Sequence, residues 1–150
     1  MRWLILSLCL VLSPAARAAE GRVLKVLPQF LDEKGRTSLT PSLYDRDAYQ
    51  AILRKNPARR SGLRFEVQWK AKVPDTEPLL LRVEIRGVAD ADPAKTTVKE
   101  IPVRQHHWFS HWAYVTLSKE EYQKLGEVTA WRVTLLDGKD LLAEQKSFLW

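Results

Sequence analysis

Residues 63–71 read LRFEVQWKA, an unbroken alternation of Leu63, Phe65, Val67, Trp69 and Ala71 with Arg64, Glu66, Gln68 and Lys70. Only an extended strand sends residues i, i+2 and i+4 to one side, so this stretch must bury one face and wet the other. After a Pro74-to-Pro78 turn the period resumes, with Leu79, Leu81, Val83 and Ile85 alternating with Leu80, Arg82, Glu84 and Arg86. The same reading gives a first strand over Arg22–Leu27, resuming near Phe30 ahead of an Asp32–Arg36 turn. Another runs from Thr96 to Arg104, where Pro102 has no N–H to offer and so marks an edge. Further strands cover His111–Leu117, Glu127–Leu136 and Asp140–Trp150, the last pair joined by Asp137-Gly138, a hairpin signal.

Two segments depart from period two. Ser42–Lys55 has Asp45 and Asp47 in its first turn, Arg54 and Lys55 in its last, and Asn56-Pro57 beyond. That charge order suits a helix dipole and predicts a helix over about 43–55. Its expected packing stripe is Leu43, Ala48 and Ile52, with Tyr44 and Tyr49. Ser118-Lys119-Glu120-Glu121 is a capping box opening a short crossover helix over about 119–125, which Gly126 closes.

Seven short strands with regularly spaced turns define an all-β, two-sheet antiparallel sandwich. With Trp69 on an early strand, a helical crossover before the penultimate strand and a closing hairpin, residues 21–150 resemble the immunoglobulin/fibronectin-III superfold in architecture. The usual inter-sheet cysteine pair is missing, and the 43–55 helix is an insertion relative to that pattern. The resemblance implies an immunoglobulin-like sandwich and no particular activity. In outline the chain is also similar to small exported bacterial single-domain proteins, a likeness that brings no functional residues.

The N-terminus carries Met1-Arg2, the apolar run Trp3–Leu12, Pro14 and then Ala16-Arg17-Ala18, the pattern of a secretory signal peptide cleaved after Ala18. A ten-residue helix rises about 15 Å against a hydrocarbon core of about 30 Å, too short for a membrane span. The expected division is a signal peptide over 1–18 and one sandwich domain over 19–150, periplasmic or secreted. The whole chain has 24 Lys+Arg, 18 Asp+Glu and one cysteine. Without Arg2, Arg17 and Cys9 the mature chain keeps 22 bases against 18 acids, net +4, and no thiol. A disulfide scaffold, a thiolate nucleophile and a cysteine-ligated metal are thereby excluded for it.

All three histidines fall in His106-His107-Trp108-Phe109-Ser110-His111. His107 and His111 are four apart, which on a strand is about 13 Å, too far to share an ion at bonds near 2 Å. No acid lies between Glu100 and Glu120. A polar loop running into a strand therefore outweighs a metal site, and no cofactor is expected. A loop gathering His106, His107 and His111 into a small metal-dependent hydrolase is the alternative.

If Phe109, Ala113, Val115 and Leu117 face the core, then Trp108, Trp112, Tyr114 and Thr116 face away from it. Aromatics on an outer sheet face form a platform for sugar rings or a partner protein. The competing reading buries Trp112 and Tyr114 under the inserted helix or neighbouring arginine stems, whereas Trp69 and Trp131 read as core. Arg54, Arg59, Arg60 and Arg64 cluster with Lys55 around Asn56-Pro57-Ala58 and, with Lys70 and Lys72, suit an acidic polysaccharide or anionic surface. The bland reading is a solvated turn after a helix. Export argues against nucleic acid as a partner.

No phosphate loop, nucleophile elbow, His-Glu metal motif or calcium loop is present; Asp90-Ala91-Asp92-Pro93 reads as a turn. The expectation is an exported, non-catalytic binding or structural module of the cell envelope. It recognises a protein or glycan through an outer sheet face bearing Trp108, Trp112 and Tyr114. An assembly subunit pairing through its edge strands is a third possibility, opposed by Pro102.

Overall fold

A computed structural model describes residues 19–73, 77–89, 95–105 and 109–150. The expected export segment 1–18, residues 74–76, residues 90–94 with the expected Asp90-Ala91-Asp92-Pro93 turn, and His106, His107 and Trp108 lie outside the described residues. The strands are Glu20–Asp32 (β1), Arg60–Lys72 (β2), Leu79–Val88 (β3), Lys95–Val103 (β4), His111–Leu117 (β5), Glu127–Asp137 (β6) and Asp140–Lys146 (β7). Helices Leu43–Lys55 (α1) and Lys119–Leu125 (α2) follow β1 and β5. All pairings are antiparallel, in a three-stranded sheet β1-β2-β5 and a four-stranded sheet β4-β3-β6-β7.

The alternation read from the sequence builds the core. Leu63, Phe65, Val67, Trp69 and Ala71 of β2 are buried against Leu79, Leu81, Val83 and Ile85 of β3, with Ala113, Val115, Leu117, Val133 and Leu135. Trp131 meets Phe65 edge-on at 6.4 Å. Pro102 sits on β4, at one edge of the four-stranded sheet, as its missing N–H requires. The capping box forms as expected, Ser118 and Glu121 each serving the other's backbone N–H. Gly126, at φ 80°, lies so close to β3 that a Cβ would be 2.2 Å from the Val88 carbonyl oxygen.

β1 runs through both expected segments as one strand, with an irregularity at Leu24 between Val23 and Lys25. Its outer edge is occupied by α1. Gln50 Oε1 accepts from the Phe30 N–H (2.8 Å), and its Nε2 donates to the carbonyls of Phe30 (2.9 Å) and Thr37 (2.8 Å). The expected stripe on α1 is therefore corrected: Tyr49, Gln50 and Leu53 are buried, and Leu43, Tyr44, Ala48 and Ile52 are exposed. An edge strand needs hydrogen-bond partners as well as apolar cover, and this face supplies both. Tyr49 adds a 2.8 Å bond to Asp32, which also accepts from the backbone of Lys34 and Arg36 and from the Arg36 guanidinium.

The last strand stops at Lys146, four residues short of its expected end at Trp150. Ser147 closes the ladder, its N–H donating to the Trp131 carbonyl (2.9 Å) and its Oγ accepting from the Trp131 N–H (3.0 Å). The chain then turns, and the Trp150 ring lies under the guanidinium groups of Arg86 (3.9 Å) and Arg132 (4.8 Å). Two cations on the outer face of β3 and β6 thus hold the indole out of the strand line.

Candidate functional site

Because the inner residues of β2 are fixed by the core, its outer residues are fixed as well. The β1-β2-β5 register sets them in rows across the outer face of the three-stranded sheet. One row is Lys25, Gln68 and Trp112; the next is Leu27, Glu66 and Tyr114; the third is Gln29, Arg64 and Thr116. Trp112 and Tyr114 are 43% and 54% exposed, uncovered by α1, which sits at the β1 edge. On one strand two residues apart, their rings stand about 7 Å from each other along β5.

The polar residues between the rings and β1 are held in place. Arg64 Nη2 bonds Glu66 at 2.6 Å and Thr37 Oγ1 at 3.2 Å, and its guanidinium lies 5.2 Å from the centre of the Tyr114 ring. Gln68 donates to Ser110 Oγ at 3.0 Å. Through Thr37, which Gln50 also binds, the loop after β1 forms a wall at one end of the face.

The outer face of the four-stranded sheet is chemically different. Arg82 pairs with Glu100 at 2.6 Å, Arg132 pairs with Glu84 at 2.6 and 2.9 Å, and Arg132 approaches Glu144 at 4.0 Å. The Arg132 guanidinium holds the Glu84 carboxyl below the ordinary carboxylate range against the opposing effect of burial. That surface neutralises itself.

The basic residues clustered in sequence do not form one patch. Arg60 is only 7% exposed and turns inward to the end of α1: Nε donates to the Leu53 carbonyl (2.7 Å), Nη2 to that of Arg54, and Nη1 to the Tyr122 hydroxyl (2.9 Å). Its guanidinium also stacks on Phe30 at 4.0 Å. It is a helix cap, which removes it from the expected basic surface. Arg54 lines a cleft of about 320 Å³ with Pro28, Phe30, Leu63 and Trp131, while Arg59 borders a smaller one beside Asp32 and Tyr49. Arg64 alone of the four reaches the aromatic face.

His111 lies half-buried on the inner side of β5, its ring 5.3 Å from that of Trp69, while His106, His107 and Trp108 lie outside the described residues. Among the described residues no three His, Cys, Asp or Glu side chains are grouped to hold a metal. No described helix is long and apolar enough to cross a membrane. Phe109, expected in the core, is 65% exposed, because β5 begins only at His111 and the alternation does not extend back to it.

The sequence reading missed Gln68, Glu66 and the β1 residues that share this face. They become visible only through the strand register, which no local pattern encodes. No protein-family model matches the chain, and no curated protein matches it. Among solved structures, a selenomethionine-labelled β-glucosidase from Kluyveromyces marxianus aligns with a TM-score of 0.34 at 8% identity, over 86% of this chain and 14% of that one. The chain thus spans about a seventh of that enzyme's length, and a likeness at this score carries neither fold nor function.

Proposed function

We propose that this protein is an exported, non-catalytic binding module of the cell envelope that recognises a glycan through the outer face of its three-stranded sheet. The observation that carries the reading is the pair of rings, Trp112 and Tyr114, exposed side by side along β5 next to held polar groups. Sugar rings present C–H faces that stack on aromatics, and hydroxyls that amide and carboxylate groups bind at the same time. The segment Met1–Ala18 supports a periplasmic or secreted location. Connectivity β1-β2-β5 against β4-β3-β6-β7 supports an immunoglobulin/fibronectin-III type of sandwich, a frame that presents such faces in many binding modules.

A glycan panel titrated against the mature protein, followed by tryptophan fluorescence, tests the reading. At least one member should shift the emission, and Trp112→Ala should abolish the shift and weaken binding at least tenfold without altering the far-ultraviolet circular dichroism. Tyr114→Ala should weaken binding as well. No response from any glycan would overturn the proposal.

A further inference from the structure

We infer that the ligand of this face is an acidic polysaccharide, its carboxylates taken by Arg22, Lys25, Lys70 and Lys72 while its rings lie on Trp112 and Tyr114. This rests on the reading of the face as a glycan platform and narrows it to a chemical class.

The two outer faces of the sandwich differ in how far their charges are matched. On the four-stranded sheet, Arg82 and Arg132 have carboxylate partners and Arg86 lies on Trp150. On the three-stranded sheet, Arg64 is matched by Glu66. Beyond Gln68, toward the other end of that face, the register brings Arg22 opposite Lys70 and Glu20 opposite Lys72, with Lys25 beside Gln68. None of these four cations is in an ion pair with a described residue, and Glu20 is the one carboxylate among them. Concentrated like charge costs folding free energy through self-repulsion, and a polyanion would relieve it.

The shape fits the charge. Gly21 and Ala71 are opposite one another with their small side positions turned inward, Gly21 toward Leu135 and Leu142. The backbone of that pair therefore floors a cavity of about 250 Å³ lined by Glu20, Arg22, Lys70 and Lys72. This is below the ~300–1,000 Å³ of sites that enclose a drug-sized ligand, and suits one sugar or its carboxylate. From Trp112, Lys25 is two strands away, about 10 Å, and the Arg22–Lys70 row lies about 7 Å further along the strands. A ligand that meets both ring and cation rows must be an extended chain of several units. Gln68 and Ser110, between the two, are neutral hydrogen-bonding groups suited to hydroxyls. The export segment disfavours nucleic acid, the other polyanion with stackable rings.

Isothermal titration of the mature protein with polygalacturonate and with uncharged dextran and xylan tests the inference, using Lys25→Glu/Lys70→Glu, the milder Lys25→Gln/Lys70→Gln, and Trp112→Ala. Polygalacturonate should bind at least tenfold more tightly than either neutral polymer and weaken about tenfold between roughly 50 and 300 mM salt. Charge reversal should cost at least tenfold, the glutamine variant less, and Trp112→Ala at least tenfold. Equal binding of xylan or dextran, indifferent to charge reversal yet lost in Trp112→Ala, would overturn the acidic class and leave the platform standing. Absence of binding to any glycan would overturn both. Polygalacturonate binding unchanged by Trp112→Ala would overturn the joint site. Single-stranded DNA or phosphatidylglycerol vesicles binding as tightly as polygalacturonate would overturn the inference in favour of those surfaces.

Discussion

Replacing Arg60 by methionine distinguishes a helix cap from a surface base. The last carbonyls of a helix have no partner within it, and Arg60 supplies donors to two of them, Leu53 at 2.7 Å and Arg54. A hydrogen bond from a charged donor contributes about 1.5–3 kcal/mol net. The Arg54 carbonyl is on an exposed residue and recovers part of its loss to water, whereas Leu53 is fully buried. Losing the guanidinium over Phe30 adds about 0.5–1 kcal/mol. Glu127, 3.3 Å away with its side chain mostly in solvent, adds little. Methionine keeps the apolar stem and removes the cost of a buried charge, which offsets part of the total.

The expected destabilisation is about 2–4 kcal/mol, or a fall in Tm on the order of 10 °C. Urea unfolding at pH 7 reads it as a lower midpoint at unchanged slope. Arg54→Met and Arg59→Met, both at exposed positions, should stay within about 0.5 kcal/mol of the parent. The loss at Arg60 should also be nearly independent of salt, because the group is buried. A loss below about 1 kcal/mol at Arg60, or an equal loss at Arg59, would refute the capping argument.

Other perturbations follow from the same edge of the molecule. Burial alone would raise the Asp32 carboxyl, but bonds from Arg36, Tyr49 and Lys34 outweigh it and hold the pKa at about 2, down from 3.8. The stabilisation is therefore complete above about pH 4 and is lost as pH falls from about 4 through 2. With Arg36 half in solvent it amounts to roughly 1–2 kcal/mol, and Asp32→Asn should flatten the acid limb of urea-unfolding curves by that amount. Gln50→Ala removes three hydrogen bonds to Phe30 and Thr37 and should cost about 2 kcal/mol, with amide exchange at Phe30 accelerated at least tenfold. Gln50→Glu should cost more, since it sets a carboxylate against two carbonyl oxygens. Gly126→Ala meets both a positive φ and the Val88 carbonyl and should lose at least about 2 kcal/mol by thermal unfolding, whereas Gly138→Ala, at φ 57° in open space, should lose only about 1.

The strands and caps were legible because their signals are local. Period two in β2 and β3, Pro102, the Ser118 capping box and Gly126 each act through neighbours within a few residues, and the structure keeps all of them. The packing face of α1 was not legible, because Gln50 looks solvent-facing until the carbonyl and N–H of Phe30, twenty residues away, are placed beside it. Helical spacing marks apolar stripes, and here the helix is anchored by an amide. The end of β7 at Lys146 is hidden from the sequence for a related reason. Phe148, Leu149 and Trp150 continue a strand-like pattern, yet Arg86 and Arg132, brought together by the β3–β6 pairing, draw Trp150 onto the outer face.

For the candidate site, sequence proximity and spatial proximity diverge. Arg54, Arg59, Arg60 and Arg64 are close in the chain and are separated as it passes from the end of α1 into β2: one to a cleft, one to the Asp32 corner, one into the interior and one onto the sheet. Arg22 and Lys25 are some fifty residues from Lys70 and Lys72, and strand pairing sets them together. Alternation assigns each residue a side of the sheet, which is why Trp112 and Tyr114 could be placed outward from sequence alone. It says nothing about which residue stands beside which. The extra residue at Leu24 shows how much depends on that: were Leu24 paired regularly in the ladder, every residue from Lys25 onward in β1 would change sides, putting Lys25 inward and Val26 outward. The bulge thus keeps Val26 in the core and Lys25 in the cation row together. Deleting Leu24, the extra residue itself, leaves Val23 opposite Trp69 and Lys25 opposite Gln68, so it should preserve both stability and polyanion binding, whereas inserting an alanine between Val26 and Leu27 should damage both.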